Sequence, residues 1–144
     1  MRNSVKQTTL PAGIQAIQNG HSHDPFDVLG AHPINKDDTQ IVVFLPPAEQ
    51  VEIVDYGSMQ SIEGSDCFTI TLKQDLVGQH YQLQWTEKSS LRTHKMVSPY
   101  SFSPQIDDFD LHLFREGKHH HAWKFLGARH CTVDDIEGCQ FALW

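Results

Sequence analysis

Hydrophobic and polar residues alternate with a period of two through much of the middle of the chain. Such alternation places apolar side chains on one face of a β-strand and polar side chains on the other. Gln40–Leu45 is instead apolar along most of its length, as in a strand that is buried on both faces. The pattern predicts five short strands, Gln40–Leu45, Val51–Asp55, Phe68–Lys73, His80–Glu87 and Leu91–Val97. Because no room is left between them for crossover helices, we expect an all-β fold, an antiparallel immunoglobulin-like β-sandwich.

A helical period appears first near the start of the chain. In residues 9–20, Ile14 and Ile17 share one helical face, Pro11 suits the first helical position and Gly20 suits a left-handed stop. These residues predict a short N-terminal helix.

The strand pattern is lost after Pro104. Asp107–Gly117 is acidic and aromatic, and His119–Gly127 favours one or two helical turns that Gly127 ends. We expect a helical linker here, followed from about residue 131 by a new β pattern. The predicted division of the chain is an N-terminal helical segment, a sandwich, a linker and the first strand of a further module: residues 1–20, 21–106, 107–130 and 131–144.

The last residues, Gly138–Trp144, run hydrophobic to the end without a turn or a polar tail. Exposed backbone and a terminal indole need cover from other chain segments, so a natural domain rarely ends in this way. The sequence therefore predicts a truncated piece of a longer protein.

Charge and composition narrow the class of partner. Eighteen acidic residues against 11 basic ones give a net charge of −7, which argues against nucleic acid and anionic membrane surfaces and is compatible with a neutral ligand. No apolar stretch approaches the length of a transmembrane helix, and the first residues lack a signal-peptide core. Three cysteines without a CxxC pair predict unpaired thiols in a reducing cytoplasm.

Two groups of histidines resemble metal ligands. His21, His23 and Asp24 form an HxHxD pattern, whose alternate side chains could share one ion, but no further ligands follow at recognisable places. The three consecutive histidines of residues 119–121 point in different directions on a helix. We expect loop hydrogen bonding and solvation in both groups, and no metal or other cofactor.

Aromatic side chains stack on sugar faces, so four of them are candidate carbohydrate platforms. Tyr81 and Trp85 share a strand face with Leu83 and are expected in the core. Tyr100 and Trp123 lie outside the regular strands and remain weak candidates for carbohydrate binding.

The acidic residues do not indicate an active site. Glycoside chemistry needs two carboxylates held across a cleft. Here the acidic residues cluster in two segments that have the composition of linkers: Asp107, Asp108, Asp110 and Glu116, then Asp134, Asp135 and Glu137. We expect solvated loop charge at both places and no catalytic residue in the chain.

Several motifs occur in one order along the chain: Asp24–His32 (DPFDVLGAH), Phe44–Ala48 (FLPPA), Pro99–Phe102 (PYSF), Asp110–Gly117 (DLHLFREG) and Gly138–Trp144 (GCQFALW). Together they resemble the N-terminal region of bacterial 1,4-α-glucan (glycogen) branching enzymes of the α-amylase superfamily.

This resemblance implies a modular parent enzyme. Such enzymes carry the sandwich, then a carbohydrate-binding module of family 48, which residues 131–144 would begin, and then a catalytic (β/α)₈ barrel. They cut an α-1,4-glucan through a covalent glycosyl intermediate and rejoin it as an α-1,6 branch. Their catalytic carboxylates belong to the barrel and so lie outside residues 1–144.

Two functions remain open on this basis. The preferred one is a non-catalytic module that contributes glucan binding or chain-length selection, with glycogen and the remaining modules of the parent as partners. The alternative is a purely structural domain that packs on neighbouring modules without sugar affinity. A metal-dependent hydrolase built on His21, His23 and Asp24 is a weaker third.

Overall fold

The structure, a computed structural model, describes residues 10–143 of the chain. It divides into two compact units, one ending at Ser103 and the other beginning at Pro104. The predicted helix would begin at residue 9, which lies outside the described residues.

The first unit opens with a short helix, α1 (Ala12–Gln18), that packs on the sandwich. Its buried residues Ile14 and Ile17 join Val42 and Cys67 in one hydrophobic cluster. The sequence predicted Pro11 as the first helical residue. It is instead the N-cap, because its ψ of 139° is extended. The chain leaves the helix through Gly20, whose φ of +67° confirms the predicted left-handed stop.

Two four-stranded antiparallel sheets form the rest of the first unit. Their orders are β1-β2-β6-β5 and β4-β3-β7-β8. The strands are β1 (Gly30–Pro33), β2 (Thr39–Phe44), β3 (Ala48–Ile53), β4 (Gly57–Ser58), β5 (Gln60–Ser61), β6 (Cys67–Leu72), β7 (Gln82–Glu87) and β8 (Thr93–Val97). The predicted all-β sandwich is confirmed, whereas its immunoglobulin-like character stays a prediction.

The core lies between the two sheets. Ile41 and Val43 of β2 meet Val51 and Ile53 of β3 and Leu83 of β7 in one buried cluster. On the other face of β2, Val42 is buried in the cluster beneath α1, so this strand is covered on both sides, as its apolar run predicted. Hydrophobic burial of this kind contributes about 1.5–3 kcal/mol for each large aliphatic side chain.

The five predicted strands correspond to β2, β3, β6, β7 and β8, with ends that differ by at most three residues. The largest difference is at β3, which begins at Ala48 rather than Val51. A bulge at Glu49 interrupts the pairing with β7 there, so the two halves of the strand are out of phase. Sequence alternation therefore detects only the second half.

The prediction missed β1, β4 and β5. β4 and β5 are two residues long and contain only glycine, serine and glutamine, so they show no hydrophobic alternation. β1 ends in Pro33 and pairs only with β2, at the edge of its sheet. Pairing with a neighbour, not their own composition, makes these segments strands.

The second unit contains a helix within the segment that the sequence predicted as a helical linker. Asp107 caps α2 (Asp108–Arg115), since its carboxylate accepts a hydrogen bond from the Phe109 backbone N–H at 2.7 Å. Phe114 of this helix contacts the buried Phe125 edge to face, with 5.9 Å between the ring centroids. The acidic segment is therefore an amphipathic helix, and the prediction of solvated loop charge at Asp107–Asp110 was wrong about the element.

A β-hairpin completes the second unit. β9 (Gly127–Val133) pairs with β10 (Ile136–Ala142), so the new β pattern begins at Gly127 and not near residue 131. Between Lys118 and Gly127 the helical turns are limited to one 3₁₀ turn, Ala122–Lys124. The four module boundaries that the sequence suggested stay predictions.

Candidate functional site

A groove of about 380 Å³ lies along the second sheet of the first unit. It follows the bulged strand β3 and its neighbour β7, and also touches residues of β4 and β8 in the same sheet and of β5 and β6 in the other. Its side chains combine carboxylates, amides, hydroxyls and one indole: Glu49, Gln50, Glu52, Gln84, Trp85, Thr86 and Thr93 among others. A concave surface with a few converging polar groups is the usual form of a small-molecule site.

Trp85 is a partly buried aromatic residue among those that line this groove. It lies opposite Val51 on β3 and His94 on β8 and packs against the core cluster. Its indole stacks on the His94 imidazole, with ring centroids 5.1 Å apart and planes inclined by 22°. Packing against the core and this stack fix the indole in place.

A carboxylate and an amide stand next to each other on the sheet face opposite to the Trp85 side chain. Glu52 and Gln84 are directly opposite on β3 and β7, and the Gln84 Nε2 donates to Glu52 Oε1 at 2.6 Å. The bond uses one of two amide protons, so Gln84 keeps one donor and its carbonyl acceptor for other partners. The two side chains thus offer hydrogen-bond donors and acceptors next to each other.

The His94 end of the stack borders a second carboxylate. His94 Nε2 lies 3.8 Å from Glu87 Oε2. Hydrogen bonds from Ser90 and Ser89 hold the pKa of the Glu87 carboxyl below its usual value, with a smaller contribution from His94. Glu87 therefore stays ionised at neutral pH, next to the imidazole that supports Trp85.

Tyr100, a carbohydrate candidate from the sequence, is half-buried in the first unit. Its ring contacts Phe26 edge to face, with centroids 5.0 Å apart, and packs on the cluster beneath α1. Burial raises the pKa of Tyr100. Its backbone carbonyl lies 3.0 Å from the position that a Cβ on Gly30 would take, which explains a glycine there. Tyr100 does not line the groove.

Trp123, the other candidate, is 72% exposed in the 3₁₀ turn of the second unit. The Lys124 ammonium lies 5.8 Å from its ring centroid. The structure thus places the two candidates in different units, and a role for either in carbohydrate binding stays a prediction.

Tyr81 and Trp85 were both predicted in the core. Tyr81 is 4% exposed, which confirms its prediction, and burial raises the pKa of its hydroxyl. Trp85 packs against the same cluster but is only partly buried and lines the groove. The sequence expected Trp85 in the core, and its partial burial is what sequence reasoning missed.

The histidine candidates make local hydrogen bonds. The Asp24 carboxylate accepts from the Phe26 backbone N–H at 3.0 Å and caps a 3₁₀ turn, Pro25–Asp27. His119 Nε2 lies 2.7 Å from Asp110 Oδ1. Across residues 10–143, no three histidine, cysteine or acidic side chains are grouped so that they could hold a metal ion.

The remaining acidic candidates also have structural partners. Glu116 accepts from the Lys118 ammonium at 2.8 Å. Asp134 and Asp135 form the β9–β10 turn, with φ values of 50° and 63°. Within the same described range, no helix is long and apolar enough to cross a membrane.

The fold and the groove define a class of protein, an antiparallel β-sandwich domain with a polar groove along one sheet. Residues 10–100 match the family model described as "alpha-1,4-glucan branching enzyme GlgB, N-terminal domain". The chain belongs to this family.

Three relatives agree with this assignment, and each carries the name "1,4-alpha-glucan branching enzyme GlgB". That of Thiobacillus denitrificans is 45% identical over 92% of this chain and 18% of its own length. That of Methylococcus capsulatus is 38% identical over 100% of this chain and 19% of its own length. That of Hydrogenovibrio crunogenus is 34% identical over 97% of this chain and 19% of its own length. The chain therefore spans about one fifth of the length of these relatives.

Proposed function

We propose that this chain is a non-catalytic module of a 1,4-α-glucan branching enzyme and contributes glucan binding or chain-length selection. Membership in the family of branching-enzyme N-terminal domains is the observation that carries the proposal. The polar groove along β3 and β7 supports it, because an uncharged sugar chain is bound by amides, carboxylates, hydroxyls and aromatic faces. The proposed place of action is the cytoplasm, where glycogen is made.

The chemistry of branching would belong to other parts of the parent enzyme. Transfer of a glucan segment through a covalent intermediate needs a nucleophilic carboxylate and an acid about 5–5.5 Å apart. The acidic candidates Asp107, Asp110 and Glu116 are instead used in a helix cap, a hydrogen bond with His119 and an ion pair with Lys118. About four fifths of each relative's length is not covered by this chain, and that part leaves room for such a centre.

Affinity electrophoresis tests the proposal. The 144-residue chain is run on native gels with and without glycogen, next to a reference protein without sugar affinity. We expect lower relative mobility in glycogen, and none of this retardation in gels that contain dextran, an α-1,6-linked glucose polymer. Equal relative mobility in all gels would contradict glucan binding.

The second candidate function is a structural domain that packs on neighbouring modules. The second unit favours it, since four large apolar side chains are strongly exposed there: Phe109, Trp123, Phe141 and Leu143, at 66%, 72%, 72% and 90%. Exposed apolar side chains in one small unit indicate an interaction surface. Unchanged mobility in the glycogen gel would favour this function over the first.

A further inference from the structure

We infer that the outer edge of β10 is an interaction surface for a second copy of this chain. The two β10 strands pair antiparallel about a two-fold axis and form a four-stranded sheet in the order β9-β10-β10-β9. The inference goes beyond the proposed function and does not depend on glucan binding.

The edge strands of the first unit are protected against pairing with another chain. β1 ends in Pro33, β4 and β5 are only two residues long, and β8 carries Lys95. Proline, short length and lysine are common means of preventing an edge strand from pairing. β10 has none of these, because Ile136–Ala142 contains neither proline nor lysine and pairs with β9 in continuous register over seven residues.

The direction of the backbone groups of β10 follows from its register with β9. Val133 lies opposite Ile136 across the two-residue turn, and residues that close such a turn form a hydrogen-bonded pair. Since hydrogen-bonded and non-hydrogen-bonded pairs alternate, the backbone groups of Glu137, Cys139 and Phe141 point away from β9. All three residues are exposed, and within the described part of the chain β10 pairs with β9 alone.

A two-stranded sheet gains stability from further strands. An isolated β-hairpin is marginally stable in water, and three or more strands with an apolar face are needed for independent stability. This hairpin has an open face, because Phe141 is 72% exposed and Leu143, which follows the strand, is 90% exposed. Pairing with a second hairpin satisfies the outward backbone groups of β10 and doubles the number of strands.

The sequence of β10 is compatible with pairing to its own copy. A two-fold axis at Cys139, the middle one of the three residues, places Glu137 opposite Phe141 of the second copy. Like charges do not meet across this axis, because Glu137 is the one charged residue of the strand. Its carboxylate also keeps the imidazole of His130 on β9 as a partner, at 3.5 Å. Symmetric association of identical surfaces is the commonest form of protein dimer.

Sedimentation velocity of the 144-residue chain under reducing conditions tests the association. We expect a reversible shift from a monomer of 16.4 kDa to a dimer as the concentration rises through the micromolar range. A chain that stays monomeric up to its solubility limit would overturn the inference.

Proline variants then locate the paired edge. Cys139→Pro removes an outward N–H from β10, and Thr132→Pro removes an outward N–H from β9, at the opposite edge of the same hairpin. Neither substitution removes a hydrogen bond within the hairpin. We expect the dimer dissociation constant to rise about tenfold or more in Cys139→Pro, and to change by less than about twofold in Thr132→Pro and in Cys139→Ser. Thermal unfolding of each variant checks that it is folded.

The natural thiols measure the register of the pairing. Opposite residues of a hydrogen-bonded antiparallel pair have Cα atoms about 5.5 Å apart, which is compatible with a disulfide bond. Copper(II) phenanthroline takes two electrons from a pair of thiols, which lose two protons, and should join Cys139 to Cys139 of the second copy. Cys131 lies on β9, one strand further from the axis, and should stay unlinked. Phe141→Pro keeps the Cys139 thiol but removes an outward N–H, so it should lower the yield and controls for random collision.

The contrary results are distinct. If Cys139→Pro and Thr132→Pro weaken the dimer equally, or if Cys131 is linked as readily as Cys139, the chain associates through another surface and the inference is wrong. A disulfide yield that is unchanged in Phe141→Pro contradicts the proposed register.

Discussion

At the scale of single residues, Leu83 illustrates what holds the sandwich together. It is 2% exposed and lies opposite Ile53 on β3 and Met96 on β8. We predict that Leu83→Ala lowers the free energy of unfolding by about 2–5 kcal/mol, because it removes buried methyl groups and leaves a cavity. Urea denaturation measures this change.

Leu91 provides the matched control for Leu83. It is 70% exposed, so Leu91→Ala should change the free energy of unfolding by about 0.5 kcal/mol or less. Similar losses in the two variants would contradict the burial described for Leu83.

Asp66 ties three segments of the first unit together. Its carboxylate accepts from Gln18 Nε2 at 2.9 Å and from the Lys88 ammonium at 3.1 Å. Its backbone N–H donates to Gln18 Oε1 at 2.8 Å, so the end of α1 is joined to the start of β6. The bonds from Gln18 and then Lys88 hold the pKa of the Asp66 carboxyl below its usual value.

This lowered pKa gives a pH dependence with a definite sign. A carboxyl whose pKa is lower in the folded than in the unfolded state stabilises the fold above the unfolded pKa of about 3.9, and this contribution is lost as the pH falls through the folded value. Asp66→Asn should therefore cost about 1 kcal/mol or less at pH 7 and progressively less below pH 4.

Urea denaturation of Asp66→Asn between pH 7 and pH 3 measures this loss. Asp37→Asn, at an exposed carboxyl in the β1–β2 loop, is the control and should show no such trend. A constant difference between wild type and Asp66→Asn across this pH range would contradict the role of the charge.

At the scale of elements, the His119 imidazole connects two segments of the second unit. The His119 side chain is 8% exposed, with Nε2 2.7 Å from Asp110 Oδ1 of α2, and it packs edge to face on Phe125 at 5.1 Å. Its Nδ1 accepts from the His121 backbone N–H at 3.1 Å, which fixes the tautomer protonated at Nε2. The ring therefore fastens α2 to the segment that follows it.

We predict that His119→Ala destabilises the second unit by about 1–3 kcal/mol, because it leaves a cavity beside Phe125 and removes two hydrogen bonds. Hydrogen exchange of the α2 amides reports the change locally. His120→Ala is the control, since His120 is exposed and next in sequence. Equal exchange rates in the two variants would refute this role of His119.

The β9–β10 hairpin is an element whose turn and first strand the sequence did not predict. Both turn residues, Asp134 and Asp135, have positive φ, as a two-residue type I′ turn requires. Asn-Gly and Asp-Gly are the usual signals for this turn, and Asp-Asp is not among the strongest. The sequence pattern of the two aspartates therefore predicts solvated charge instead of a turn. It also predicts that the strand before them begins near residue 131, whereas β9 begins at Gly127.

At the scale of the whole molecule, the thiols report on the folding of each unit. Cys67 is fully buried in β6, whereas Cys139 is exposed in β10. Burial raises the pKa of the Cys67 thiol, which lowers the fraction of reactive thiolate. We predict that iodoacetamide labels Cys139 in the native chain and Cys67 only when the first unit unfolds.

Mass spectrometry of labelled peptides, with and without urea, measures these reactions. Labelling of all three cysteines in urea is the control for intrinsic reactivity. Modification of Cys67 at the rate of Cys139 under native conditions would contradict the compact first unit.

The sequence by itself determined the all-β character of the chain, the approximate positions of β2, β3, β6, β7 and β8, and the family. Side-chain alternation is a local property, and the motifs that carry the resemblance are contiguous. Tyr81 and the doubly buried β2 were predicted for the same reason.

Only the tertiary structure decided which residues form the groove. Gln84 and Glu52 belong to strands about thirty positions apart, and the register of β3 against β7 places them opposite each other. The edge strands β4 and β5 also exist only through pairing with a neighbour. Strand pairing and register depend on contacts between distant segments, and hydrophobic period within one segment carries no information about them.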